Sequence, residues 1–194
     1  MTSEDKKLSR KKARQHQLAM EKRKRRLLII VPIIFGIIAL GAFAFYRLRP
    51  VEGTIEFEAQ DRGHDVGATF ASAGLPPVGG DHNPRFQNCG IYAETVDTGS
   101  AVHSMEHGAV WIAYHPDIPA EDVSALQEMV RGESYLLLSP YPELHSDVVA
   151  TAWGVQLELD SVSDDRLEEF IARYRSGGPE PGAPCTGGLG TPLQ

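Results

Sequence analysis

The most constraining stretch of this chain is Leu27 to Tyr46, LLIIVPIIFGIIALGAFAFY, twenty residues without a charged side chain. As a helix rising about 1.5 Å per residue it is about 30 Å long, the thickness of a bilayer's hydrocarbon core. Pro32, Gly36 and Gly41 would weaken a helix in water, but these residue types are tolerated in membrane spans. A cleavable signal peptide is the alternative, and Ala42-Phe43-Ala44 resembles a cleavage site. Signal peptides have apolar cores of about 7–15 residues and short basic leaders, whereas both are long here. The expected organisation is a basic tail (1–26), a transmembrane helix (27–46) and a domain beyond it.

Charge is partitioned around the span. Residues 1–26 hold 11 basic and 3 acidic side chains, and only Arg47 and Arg49 follow closely. Residues 50–194 then hold 6 Arg, no Lys and 23 acidic residues, so the overall charge of −7 averages two opposite regimes. Basic residues stay on the cytoplasmic side, which predicts a cytoplasmic N-terminus in the plasma membrane and an extracytoplasmic C-terminal part. The tail reads first as a topology signal. Its alternative is contact with anionic lipid or a cytoplasmic partner, each basic residue contributing about 1 kcal/mol. Nucleic acid is not expected as a partner, because no aromatic residue is interleaved among these charges.

Residues 50–176 are long enough for one domain with its own core. Short strands are expected within Val51–Phe57 and Val66–Phe70, followed by a Pro/Gly-rich turn at Leu75–Pro84, LPPVGGDHNP. The run AVWIAY, Ala109–Tyr114, reads as a buried strand. Pro119–Arg131 has Val123, Leu126 and Val130 on one face and reads as a helix. Tyr135–Ser139 is a strand, and Val148–Asp160 another, bent near Gly154. A second helix is expected from a Ser163 cap through Arg175, stopped by Gly177 and Gly178. The class is α+β: a mostly antiparallel sheet with two packed helices. Residues 177–194 are too rich in Gly and Pro to fold alone.

That tail contains Cys185, and the only other cysteine is Cys89. On the oxidising side of a membrane the pair is expected to form a disulfide, pinning the tail beside Cys89. Thiolate ligation of a soft metal or redox exchange is the alternative, although no C-x-x-C is present.

Seven histidines occur, at 16, 64, 82, 103, 107, 115 and 145. The densest group is Ala101–Gly108, AVHSMEHG. On a helix His103 and His107 share a face with Glu106 nearby, which suits zinc-like nitrogen and oxygen ligation. On a strand Met105 joins the two histidines, adding a thioether and favouring copper. A turn with hydrogen-bonded histidines and no metal fits the spacing as well. H-x-x-E-H is also the inverted zinc-peptidase motif, which requires a long helix. Gly108 and a strand follow at once, so a metallohydrolase is disfavoured and no enzymatic activity is expected.

RGHDVG (Arg62–Gly67), LPPVGGDHNP, CGIY (Cys89–Tyr92) and AVHSMEHGAVWIAY (Ala101–Tyr114) together resemble a bacterial, typically membrane-anchored family, domain of unknown function 3105. The resemblance runs from about Val51 to Gly188, with HSxEHG as its most specific motif. It implies that His64, His82, His103 and His107 form one motif set, with Glu106 beside them. Met105 stands where relatives resemble Leu, which favours a hydrophobic role over ligation, and PPVGGDH departs from the family's PPTSGxH. His115 and His145 match nothing in the pattern and are expected at the surface or as caps. The family's association with His/Met-rich, copper-related proteins selects copper over zinc. The expected protein is therefore a single-pass membrane protein displaying a copper-binding domain for trafficking or homeostasis. Its ligands would be His64, His82, His103 and His107, with Glu106 and Met105 as supporting or accessory groups. The competing expectation is a metal-free scaffold for another envelope protein, its histidines hydrogen-bonded in a core.

Overall fold

The structure is a computed structural model that describes residues 3–58, 60–70 and 74–193. It divides into two compact units, residues 1–49 and 50–194.

The first unit is one helix, α1 (Ser3–Leu48), which takes in the basic tail as well as the apolar run. Within Met20–Phe45 the most apolar 18-residue stretch has a mean hydropathy of 2.8, and none of that stretch is buried. At about 1.5 Å per residue its 26 residues are long enough to cross a membrane. Leu28, Phe35, Ile37, Leu40 and Phe45 all expose their side chains. A helix apolar on every side has no polar face to present to water.

The second unit is built on a six-stranded sheet. Its strands are β1 (Ile55–Glu56), β2 (Gly90–Ile91), β3 (Val110–Tyr114), β4 (Leu136–Pro140), β5 (Val148–Ala152) and β6 (Val155–Leu159), in the order β1-β6-β5-β3-β4-β2. Helices α2 (Thr98–Glu106), α3 (Ala120–Val130) and α4 (Arg166–Tyr174) complete it. The sheet is mixed: β1/β6, β6/β5 and β5/β3 are antiparallel, while β3/β4 and β4/β2 are parallel. α3 lies between β3 and β4 in the chain, and a parallel pair needs such a crossover.

Both faces of the sheet are covered, which explains why AVWIAY and Leu136–Leu138 are continuous apolar runs and not alternating ones. Val110, Ile112, Leu136 and Leu138 face one core with Leu126 and Val130 of α3 and Leu167, Phe170 and Ile171 of α4. Trp111, Ala113 and Leu137 face the other, with Ala101, Val102 and Met105 of α2. The histidine motif therefore lies on the second face, and α2 is a helix in addition to the two expected.

Several local expectations change. Val66–Phe70 forms no strand; Asp65 Oδ1 accepts from the Gly67 N–H, closing a turn that leaves Val66 exposed. The expected bent strand Val148–Asp160 is the β5–β6 hairpin, reversed at Gly154, whose φ of 73° a side chain would oppose. α4 begins at Arg166, and Asp164 Oδ1, not Ser163, accepts from its N–H. It stops at Arg175, with Ser176 taking the left-handed φ of 64° one residue before the expected glycines.

The tail is bound to the domain. Cys89 and Cys185 form a disulfide across 96 positions, Cα to Cα 5.4 Å. Leu189 N–H donates to Phe86 O and Leu193 N–H to Ile91 O, both at 2.8 Å, so the segment runs along the edge at β2.

Candidate metal centre

α2 is where the motif acquires geometry. Asp97 caps it, with Oδ1 accepting from the Ser100 N–H at 2.8 Å and from its hydroxyl at 2.6 Å. The helix ends on the motif itself: Glu106 is its last residue, His107 its cap, and Gly108 turns away at φ 103°. His103 and Glu106 thus share one helix face on the final turn, at i and i+3. The helical alternative for AVHSMEHG holds, and Met105 points into the apolar core, fully buried with Trp111 and Leu137.

Two loops complete the cluster. His82, from LPPVGGDHNP, is completely buried. His64, from RGHDVG, is held against it by a single parallel bridge: His82 N–H donates to Gly63 O and Asp65 N–H to His82 O, both at 2.8 Å. The ring centroids of His64, His82 and His103 stand 4.9 Å apart in all three pairs. One ligand-capable atom from each of these and from Glu106 lies within 4.8 Å of all the others.

Hydrogen bonds fix how the rings are used. Nδ1 of His82 contacts Gly80 O at 2.8 Å, Nδ1 of His103 contacts Asn83 O at 2.7 Å, and Nδ1 of His107 contacts Pro184 O at 2.7 Å. A carbonyl oxygen only accepts, so each Nδ1 carries the hydrogen and donates it. In the neutral ring Nε2 is then left with a free lone pair. This is how metal-ligating histidines are commonly oriented.

Glu106 lies at the centre. Its side chain is 1% exposed, with Oε2 3.1 Å from His82 Nε2 and 3.8 Å from His64 Nε2. Arg62 Nε stands 3.7 Å from its Oε1. Among the described residues neither His82 Nε2 nor Glu106 Oε2 has a hydrogen-bond partner. Two buried acceptors facing each other at 3.1 Å require a cation or a proton between them. The pKa of His103 is pushed down from 6.5 to about 4, mainly by burial, with the neighbouring His107, His82 and His64 adding to the effect against the Asn83 hydrogen bond. Its neutral, ligating form therefore persists well below neutral pH.

The four expected histidines are not equivalent. His64, His82 and His103 converge with Glu106, which joins them as a potential ligand in its own right. His107 packs against His103 with centroids 4.6 Å apart, but its Nε2 faces Glu180, Oε2 at 3.6 Å. His115 Nδ1 accepts from Asp117 N–H at the surface. Glu180 escaped sequence reasoning because it lies in the tail; the Cys89–Cys185 pairing was the one signal that this tail returns to the motif. Arg62 was visible in RGHDVG, but no spacing rule pairs it with Glu106.

These features define a class: one N-terminal apolar helix followed by an α+β domain that gathers three histidines and one carboxylate, His64 exposed and the other three buried. Residues 65–187 match the model of the family described as Protein of unknown function (DUF3105), and the chain belongs to that family. No curated protein and no solved structure matches the chain significantly.

Proposed function

We propose that this protein is anchored by α1 in the bacterial plasma membrane, N-terminus inside, and displays an extracytoplasmic domain that binds a divalent transition metal. The observation that carries the reading is the facing pair His82 Nε2 and Glu106 Oε2, 3.1 Å apart, buried and without a hydrogen-bond partner among the described residues. A metal ion satisfies both and adds His64 and His103 as further ligands. The widest separation among the four donor atoms, 4.8 Å, exceeds the roughly 4 Å that opposite ligands span around an ion at about 2.0–2.1 Å. His64 is the most exposed of the four, its side chain 44% accessible, and is carried on a loop.

The donor set is three nitrogens and one oxygen, with the Met105 thioether turned into the core. Such a set suits copper(II) or zinc; copper(II) binds the more tightly of the two in the general affinity order. We keep copper as the favoured ion, in trafficking or homeostasis, with zinc as the alternative. The 6 Arg and 23 acidic residues beyond residue 49 would enrich cations near the domain at low salt. Partners of the reading are the lipid bilayer, anionic lipid at the basic tail, and an extracytoplasmic protein that supplies or receives the ion.

The 3.1 Å separation also fits a second reading, a metal-free scaffold in which a proton sits between His82 and Glu106. Titration of the full chain in detergent micelles with Cu²⁺ and Zn²⁺, followed by elemental analysis, separates the two. One tightly held ion per chain, lost in His82→Ala and His103→Ala, is expected. No stoichiometric metal at neutral pH, or unchanged binding in both variants, leaves the scaffold.

A further inference from the structure

A histidine facing a carboxylate recurs one imidazole away, there at the solvent edge. His107 donates its Nδ1 hydrogen to Pro184 O at 2.7 Å, so in the neutral ring its Nε2 lone pair is free and faces Glu180 Oε2 at 3.6 Å. The separation is too long for a normal hydrogen bond, and in the neutral ring it again opposes acceptor to acceptor. At an ion about 2.05 Å from each atom it subtends an angle of about 120°, within the range four-coordinate ions adopt.

We propose that His107 and Glu180 form a second, outer cation position for a partly hydrated divalent transition ion. The proposal rests on the reading of the His64/His82/His103/Glu106 cluster as a metal centre, because the outer position borders it through His103. The two differ in enclosure. Glu106 is sealed, whereas the Glu180 side chain is 45% exposed, so water completes the outer coordination and the ion exchanges freely. Glu180 is not a loose surface carboxylate. Its backbone N–H donates to Glu106 O at 3.1 Å, and Ala183 O accepts from the Tyr135 hydroxyl at 2.8 Å. The Cys89–Cys185 disulfide closes the segment immediately beyond. The tail is thereby held with its carboxylate opposite His107.

The test is Cu²⁺ titration of the full chain in detergent micelles, read by calorimetry and electron paramagnetic resonance. The wild type should bind two ions, the second at least about tenfold more weakly. Glu180→Gln, an exposed and nearly isosteric change, should abolish the weak phase and leave the tight one in place. His82→Ala should do the reverse. A wild type that binds one tight ion alone overturns the outer position and leaves the inner centre standing. Persistence of both phases in Glu180→Gln and in His107→Asn overturns it as well. A chain that binds no ion at all overturns both.

Discussion

His82 Nε2 lies 3.1 Å from Glu106 Oε2, both side chains sealed from solvent, and the His82 hydrogen is committed on the far side of the ring to Gly80 O. An acceptor facing an acceptor in a dry site is costly, by roughly 1–3 kcal/mol for an unsatisfied buried group. A bound cation turns that cost into affinity. At a free Cu²⁺ concentration 100 times Kd, the native state gains about 2.7 kcal/mol. For a domain of this size that raises the melting temperature by roughly 5–10 °C. Glu106→Gln should lose this gain, yet melt no lower than wild type without metal, because its amide can donate to His82 Nε2. Differential scanning calorimetry with and without metal gives both numbers. A Glu106→Gln protein that gains as much stability from Cu²⁺ as the wild type would count against the centre, since the weaker His107–Glu180 position alone gives a smaller gain.

A tryptophan stands beside the cluster. The Trp153 ring packs edge-on against His82, centroids 5.7 Å apart. Copper(II) quenches indole fluorescence at short range, and closed-shell zinc does not. Emission should therefore fall on Cu²⁺ addition and change little with Zn²⁺. Trp153→Phe should remove most of the quench while leaving the calorimetric stoichiometry intact. Undiminished quenching in Trp153→Phe would place the ion elsewhere.

The Cys89–Cys185 link closes a loop of nearly 100 residues, for which chain entropy gives an upper figure of about 4.7 kcal/mol. Cys89→Ser with Cys185→Ser should lower unfolding stability by up to about that amount in a denaturant titration. It should also expose residues 177–185 to limited proteolysis. On intact cells, both cysteines of the wild type should resist thiol labelling until reduced; labelling only after the inner membrane is breached would reverse the proposed topology.

Asp164 offers a pH probe away from the histidines. Arg166 donates to its carboxylate from Nε and Nη2, with Nη2 to Oδ2 at 2.6 Å, and holds its pKa at about 2 against an ordinary 3.8. A pKa depressed on folding stabilises above the unfolded value, and the contribution disappears as pH falls from 3.8 through about 2. The pair is partly exposed and solvent-screened, so its effect on stability is small. Carboxyl NMR should place the Asp164 midpoint near 2, and Arg166→Gln should return it towards the ordinary value. A midpoint that ignores this substitution would remove Arg166 as the cause.

How much of this was legible beforehand depended on whether the signal was local. The apolar run 27–46, the strand AVWIAY and the face Leu167, Phe170, Ile171 are periodicities of neighbouring residues, and each became the expected element. The sequence of α2 fits helix and strand alike, because its nine residues are almost all buried and show no polar face. The site is non-local. His64 and His82 came from family resemblance, since no rule of spacing joins them to His103 across 39 and 21 positions. The motif puts Glu106 beside the cluster, but its central position follows only from the way α2 docks. Glu180 was hidden because a Gly/Pro-rich tail reads as unstructured until the disulfide and its hydrogen bonds are known.

Gly178 shows how tightly that tail is tied to the site. A Cβ there would overlap Glu106 O and Gly108 N, and would lie 2.7 Å from Met105 O. All three are backbone atoms at the end of α2, so no side-chain rotation relieves the clash. The helix's last carbonyls have no partner within the helix, and Glu106 O is satisfied by the Glu180 N–H. Gly178→Ala must push the tail off this end, freeing Glu106 O and withdrawing Pro184 O from His107. The expected cost is about 1–3 kcal/mol of stability. The tight metal phase should weaken as Glu106 loses its fixed position, and the His107–Glu180 phase should vanish. Gly182→Ala, whose Cβ would meet nothing within 4 Å, serves as the control in the same segment. Its φ of 84° still carries a backbone penalty of about 1 kcal/mol, but it should leave both metal phases unchanged. Equal effects of the two substitutions on metal binding would mean that the tail acts through general stability and not through its contact with α2.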